Sequence, residues 1–178
     1  MLEFALLAHI YMSTFGIILI PAASQLTKYN NIIHSLSKKY STPDFEAHIT
    51  ILTQLEAKEK DFTTTVGQIV KDFKKIKVSF LGMNFSSTIH HCVLAQIKMS
   101  PQLLTLHNEL ASKLKDPDKT PYFPHMSLMY GNLTPEKRLY ISNQVKLGKY
   151  LLLDQIVVVH ADGDLPSDWT EVAKFKLN

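Results

Sequence analysis

Two short segments of the 178-residue chain pair an imidazole with a hydroxyl two residues further on: His48-Ile49-Thr50 and His125-Met126-Ser127. In a strand, residues i and i+2 emerge on one face, so each segment presents ring and hydroxyl together while Ile49 or Met126 turns into a core. Eight histidines among 26 serines and threonines would give about one such pairing by chance, so the strand context has to carry the argument. If the two strands lie side by side, a phosphoryl group is the natural guest. Thr50 and Ser127 would donate to its nonbridging oxygens, and the imidazoles would divide into a neutral base and a protonated acid. The base activates water and the acid protonates the leaving oxygen, each contributing roughly 10² to 10⁴ fold. Such a site calls for no metal and no cofactor.

The remaining histidines have weaker claims. His9 lies in an apolar leader, His34 and His107 fall on helical stretches, and His160 ends a strand. His90 and His91 adjoin Cys92, but as neighbours in a strand they would face opposite ways and could not share an ion. Cys92 sits in an apolar strand with no cation in sight to activate it as a nucleophile. No phosphate-binding glycine loop, serine elbow or His-Glu-x-x-His helix is present.

The elements that must hold these residues follow from periodicity. A β-branched run from Phe15 to Pro21 reads as a buried strand, and a helix with its apolar face every three to four residues follows to Lys39. A strand is expected over Phe45 to Leu52, a helix over Thr63 to Lys74, and a hairpin from Lys77 to Phe85 and His90 to Lys98. Ser100-Pro101 opens a leucine-rich helix, and a proline-bearing loop leads into the strand Phe123 to Tyr130. A helix begun by Thr134-Pro135-Glu136, then strands Tyr150 to His160 and Trp169 to Leu177, complete the chain. Seven strands and four helices in this mixed order indicate an α+β fold with largely antiparallel sheet.

Composition sets the remaining limits. Apolar residues make up 46% and charged residues 20%, enough to bury one core and too polar for a polytopic membrane protein. A net charge of +3 without a basic stripe accepts anionic ligands but does not single out nucleic acid. One cysteine excludes an intrachain disulfide and points to the cytoplasm. Residues 1–14 read as an N-terminal extension or leader. Glu3 and His9 interrupt their apolar run and no basic residue precedes it, which argues against a signal peptide or membrane anchor.

The two His-x-hydroxyl motifs, with the nine-residue segment Phe-Pro-His-Met-Ser-Leu-Met-Tyr-Gly from Phe123 to Gly131, resemble the 2H phosphoesterase superfamily. Within it the likeness is to the cyclic phosphodiesterases of the yeast and plant type, and it runs from about residue 15 to the C-terminus. The first motif departs from the usual pattern in having Ala47 where a proline is common. The resemblance implies a bilobal fold over residues 15–178, with pseudo-twofold lobes, outer helices and a central cleft. It implies metal-independent opening of cyclic phosphates, with His48 and His125 as the catalytic pair and Thr50 and Ser127 as phosphate donors. Tyr130 would be a further substrate contact. Strict alternation puts Tyr130 opposite His125, so its role requires a bend near Gly131. The expected ligand is a small nucleotide cyclic phosphate, with RNA ends as the longer alternative, and the protein is expected to act as a monomer. Two rivals remain: a 2′,5′-phosphodiesterase or RNA-end enzyme of the same superfamily, and a non-catalytic binder of cyclic phosphates. Of the aromatics near the second motif, Phe123 is expected in the core.

Overall fold

The computed structural model describes residues 12–178 except Lys119 and Asp162, and most of the expected extension at residues 1–14 lies outside it. Seven strands and four α-helices follow in the order β1 (Ser13–Pro21), α1 (Ala23–Tyr40), β2 (Ile49–Ala57), α2 (Glu59–Val70), β3 (Ile76–Asn84) and β4 (Val93–Ile97). The chain continues through α3 (Pro101–Leu114), β5 (His125–Met129), α4 (Pro135–Gln144), β6 (Tyr150–His160) and β7 (Thr170–Lys176). The α+β class and the antiparallel sheet are as the periodicity indicates. Every strand pairing is antiparallel.

The sheet runs β2-β1-β6-β3-β4-β5, with β7 added to β6 off this path. β6 joins the two halves. Its first residues, Tyr150 to Leu153, pair with β3, while Gln155 to His160 pair with β7 and the neighbouring β1 covers Leu153 to His160 on the other edge. The lobe β2-β1-β6-β7 and the lobe β3-β4-β5 are thereby one continuous sheet bent around a cleft. The motif strands β2 and β5 sit at opposite ends of the strand order and pack against each other across the opening.

Helices close the outside, each where its sequence dictates. α1 buries Tyr29 and Ile33 and stops at Ser41, whose left-handed backbone returns its N–H to the Ser37 carbonyl. In α3 the Ser100 hydroxyl accepts from the Leu103 N–H, Pro101 occupies the first turn, and Leu103, Leu106 and Leu110 face inward. α1 packs beneath β5 and α3 beneath β2, so each motif strand rests on a helix that follows a strand of the other lobe.

Two boundaries differ from expectation in ways that bear on the site. β2 begins at Ile49 and not at Phe45, because Phe45 to His48 form an irregular approach whose Ala47 N–H donates to Asn30 Oδ1 at 2.8 Å. β4 begins at Val93 and not at His90, which leaves both adjacent histidines in the preceding loop.

Candidate active site

Both motif strands carry an extra residue directly after the motif hydroxyl. On β2, Thr50 pairs with Ile18 and Leu52 with Ile17, so Ile51 is the inserted residue. On β5, Ser127 pairs with Leu94 and Met129 with Val93, so Leu128 is inserted in the same way. A bulge of this kind reverses the facing of every later residue relative to strict alternation. Tyr130, which alternation alone would turn away from His125, therefore joins it on the wall of one cavity, as does Thr53 from β2. The bend expected near Gly131 is thus made three residues earlier, by the bulge at Leu128. Gly131, at φ 155°, then leaves the strand in a conformation that favours glycine.

The two motif imidazoles are fixed alike. His48 Nδ1 lies 2.7 Å from the Glu46 carbonyl oxygen and His125 Nδ1 lies 2.8 Å from that of Phe123. A carbonyl can only accept, so in each ring Nδ1 carries the proton and Nε2 is left for chemistry. The Ala47 amide held by Asn30 anchors the first approach with a donor that a proline would lack. Phe45 ties the halves together, stacking on Tyr130 at 4.5 Å and meeting His48 edge-on at 6.0 Å.

A cavity of about 310 Å³ is lined by Thr50, Thr53, Gln54, His90, His91, His125 and Tyr130, and on the far side by Asp164 and Trp169. A second, of about 380 Å³, lies against it and shares Thr50, Thr53, His91 and His125, so these four side chains mark the junction of two chambers. Tyr122 and His107, stacked at 4.2 Å, line the second chamber, and the Tyr122 hydroxyl donates to the Thr50 carbonyl at 3.0 Å. Phe123, expected in the core, is 40% exposed there and stacks on His125 at 5.3 Å.

Not every expected site residue reaches the wall. His48 is 5% exposed and packs against the Trp169 ring at 5.8 Å, just behind the first chamber. Ser127 is 4% exposed, and its hydroxyl donates to the His90 carbonyl at 3.1 Å. Thr50, His125 and Tyr130 line the cavity directly.

His90 and His91, set aside in the sequence because strand neighbours face apart, both line the first chamber. A turn has no such alternation. The loop that carries them is held by the Ser86 N–H to the His91 carbonyl at 2.8 Å, by the Gly131 N–H to the Ile89 carbonyl at 3.1 Å, and by the buried Arg138 guanidinium on the Ser86 carbonyl. His90 Nε2 donates to the Asp164 carbonyl at 3.0 Å, linking this loop to the β6–β7 connection. A sequence clue was present: the Ser86-Ser87-Thr88 turn signal extends the loop toward His90.

Burial sets the electrostatics. It pushes His125 down to about 4 against the pull of the Phe123 carbonyl, with the neighbouring His91 and His48 charges adding to the depression. Burial likewise holds His48 below the ordinary imidazole value, opposed by its Glu46 hydrogen bond. The Tyr130 phenol is raised by burial and drawn back by its hydrogen bond with Ser127. Burial thus favours the neutral form of both motif rings near neutrality. Among the described residues no three His, Cys, Asp or Glu side chains gather as a metal site would require.

Known proteins are similar to this chain to differing degrees. A cyclic phosphodiesterase of Arabidopsis thaliana is 22% identical over 133 residues, 67% of this chain, and the chain spans 66% of that relative's length. Among solved structures, the TT0787 protein of Thermus thermophilus superposes with a TM-score of 0.66 at 13% identity, covering 92% of this chain and 97% of that one. E. coli LigT complexed with 3′-AMP superposes with a TM-score of 0.62 at 13% identity, covering 94% and 99%. The model of the 2′-5′ RNA ligase superfamily matches residues 22–164, which span both motifs and most of the folded chain, and the protein thus belongs to that superfamily of two-histidine phosphoesterases.

Proposed function

We propose that the protein is a phosphodiesterase that opens cyclic phosphates. The substrates are ADP-ribose 1″,2″-cyclic phosphate, giving ADP-ribose 1″-phosphate, and nucleoside 2′,3′-cyclic phosphates, giving 2′-phosphates. The observation that carries this reading is the matched anchoring of His48 and His125, each with Nδ1 tied to the carbonyl two residues back and Nε2 left for proton transfer. The name of the plant relative supports it, as does the nucleotide in the LigT complex.

One imidazole takes a proton from water as the water oxygen attacks phosphorus. The other gives a proton to the departing ribose oxygen on the opposite side, and the ring opens to a phosphate monoester. Thr50 and Tyr130 donate to the nonbridging oxygens from the cavity wall, and Ser127 joins them by turning its hydroxyl away from the His90 carbonyl. The proton that enters the base is regained by the acid through solvent, so no group is consumed. Paired chambers also admit a substituent on each side of phosphorus. That favours, as a second reading, cleavage of a 2′,5′-linked diester or trimming of an RNA end.

Turnover of a 2′,3′-cyclic nucleotide in the presence of a chelator tests the reading, with phosphorus NMR to identify the product. Activity is expected to persist in the chelator and to disappear in His48→Ala and in His125→Ala. An active double variant, or turnover lost with the chelator, overturns it.

A further inference from the structure

The two chambers are lined by imidazoles, hydroxyls and carboxylates. Among the described residues that line them there is no lysine and no arginine, while Asp116, Asp118 and Asp164 contribute carboxylates. A phosphate in this cleft needs a counter-charge, because an unpaired anion in a half-buried site is strongly disfavoured. The imidazoles on the walls can supply it by taking up a proton.

Three of the four imidazoles around the first chamber already have one nitrogen committed to a backbone carbonyl: His48 to Glu46, His125 to Phe123 and His90 to Asp164. The fourth, His91, makes no ring hydrogen bond to any described residue, yet its half-buried ring lines both chambers. It stands edge-on to His125, with ring centroids 4.6 Å apart and planes at 85°. Its backbone is locked, the N–H donating to Thr88 and the carbonyl accepting from Ser86. A rigidly mounted ring with unengaged nitrogens, at the point where the chambers meet, is placed to touch whatever His125 touches.

We propose that His91 is a third substrate-contacting imidazole, which takes up a proton as a phosphorylated ligand enters and donates a charge-assisted hydrogen bond to a nonbridging oxygen. This rests on reading the cleft as a phosphoester site. The groups that bear on its proton come from every side. The His125 ring of β5 stands against the His91 ring, and His90 in the same loop opposes a positive charge. Asp164 of the β6–β7 connection and the two aspartates after α3 favour one, and His107 on α3 completes the set. With no anion to offset them, burial and His90 hold His91 below the ordinary imidazole value. An oxyanion against the ring reverses that balance, so binding and proton uptake become a single event.

Calorimetric titration with inorganic sulfate, whose charge is constant from about pH 6 to about pH 9, measures this directly when run in buffers of different ionisation enthalpy. The intact protein is expected to take up protons on binding, and its affinity to fall toward about one decade per pH unit as the medium becomes basic. His91→Asn is expected to lose most of that uptake, to bind at least about 10-fold more weakly below neutrality, and to raise KM for a cyclic nucleotide more than it lowers kcat. His91→Lys, a fixed cation, is expected to restore binding and flatten its pH dependence, which a merely structural role would not do. Wild-type affinity and proton uptake in a folded His91→Asn protein, alongside activity that still requires His125, overturn the role of His91 and leave the phosphodiesterase reading standing. A wild-type protein that neither binds sulfate nor turns over cyclic phosphates removes both.

Discussion

Thr53 and Tyr130 occupy equivalent places in the two halves of the chain. Each lies five residues after a motif histidine, each follows a one-residue bulge, and each faces the same cavity of about 310 Å³. The internal symmetry therefore extends past the His-x-hydroxyl motifs to a third position, where the halves diverge. One carries a short aliphatic hydroxyl, the other a phenol held by Phe45 and by Ser127.

Removing the Tyr130 hydroxyl tests what that third position does. Tyr130→Phe keeps the ring on Phe45 and is expected to lower kcat/KM for a cyclic nucleotide about 10-fold, the equivalent of one hydrogen bond of about 1.4 kcal/mol. Its melting temperature should move little. Thr53→Val, on the symmetric side, is expected to reduce kcat/KM by a smaller factor. Tyr130→Ala, by contrast, also removes the stacking partner of Phe45 and should cost about 3 kcal/mol of stability. Steady-state kinetics and thermal melts on the three variants separate the hydroxyl from the ring.

The depressed His125 makes stability depend on pH with a definite sign. Its folded value, about 4, lies below the ordinary 6.5, so between those values the unfolded chain binds more protons than the folded one. Stability is then complete above about pH 6.5 and falls as the pH drops toward 4, by up to about 3 kcal/mol for this group. His48, lowered in the same direction, adds to the loss. Thermal melts across this range are expected to show a steeper acid loss for the wild type than for His125→Gln. Parallel curves would show that the ring is not buried as neutral imidazole.

Ser127 links the motif to the neighbouring loop, and its replacement should affect both. Ser127→Ala leaves the His90 carbonyl without its donor, at a cost of about 1 kcal/mol in stability, and removes a phosphate donor, lowering kcat about 10-fold or more. Ser127→Thr retains the hydroxyl and is expected to recover most of both. A fall in stability without a fall in kcat would confine Ser127 to holding the loop.

Much of the fold is readable from residue order because the patterning is local. The buried run Phe15 to Pro21, the capped helix after Ser100 and the long strand Tyr150 to His160 each announce themselves over a handful of positions. Motif and resemblance place Thr50, His125 and Tyr130 at the cleft. What escapes is set by register and by loops. The bulges at Ile51 and Leu128 depend on which residues of β1 and β4 lie opposite, and nothing within β2 or β5 alone encodes that. His90 and His91 escape because their apolar neighbours extend a strand pattern back over what is a turn. Trp169 reads as the start of a strand, and only the closing of β7 on β6 brings its ring to His48.

That last contact supplies a way to tell the acid from the base. The Trp169 ring lies on His48, and its Nε1 donates to the Gly163 carbonyl at 3.0 Å, which fixes the β6–β7 connection over the buried imidazole. Trp169→Ala opens His48 to water and weakens the desolvation that holds its proton affinity down, so its value rises toward the ordinary imidazole range. One limb of the bell-shaped rate profile must then move to higher pH. If His48 is the base, the acidic limb moves, because the ring now becomes protonated and inactive at a higher pH. If His48 is the acid, the basic limb moves, because the ring keeps its proton longer. The pH dependence of kcat in wild type and Trp169→Ala, with an NMR titration of the His48 ring to confirm the shift, assigns the roles. Identical profiles despite a shifted ring would show that His48 takes no part in the rate-limiting proton transfers.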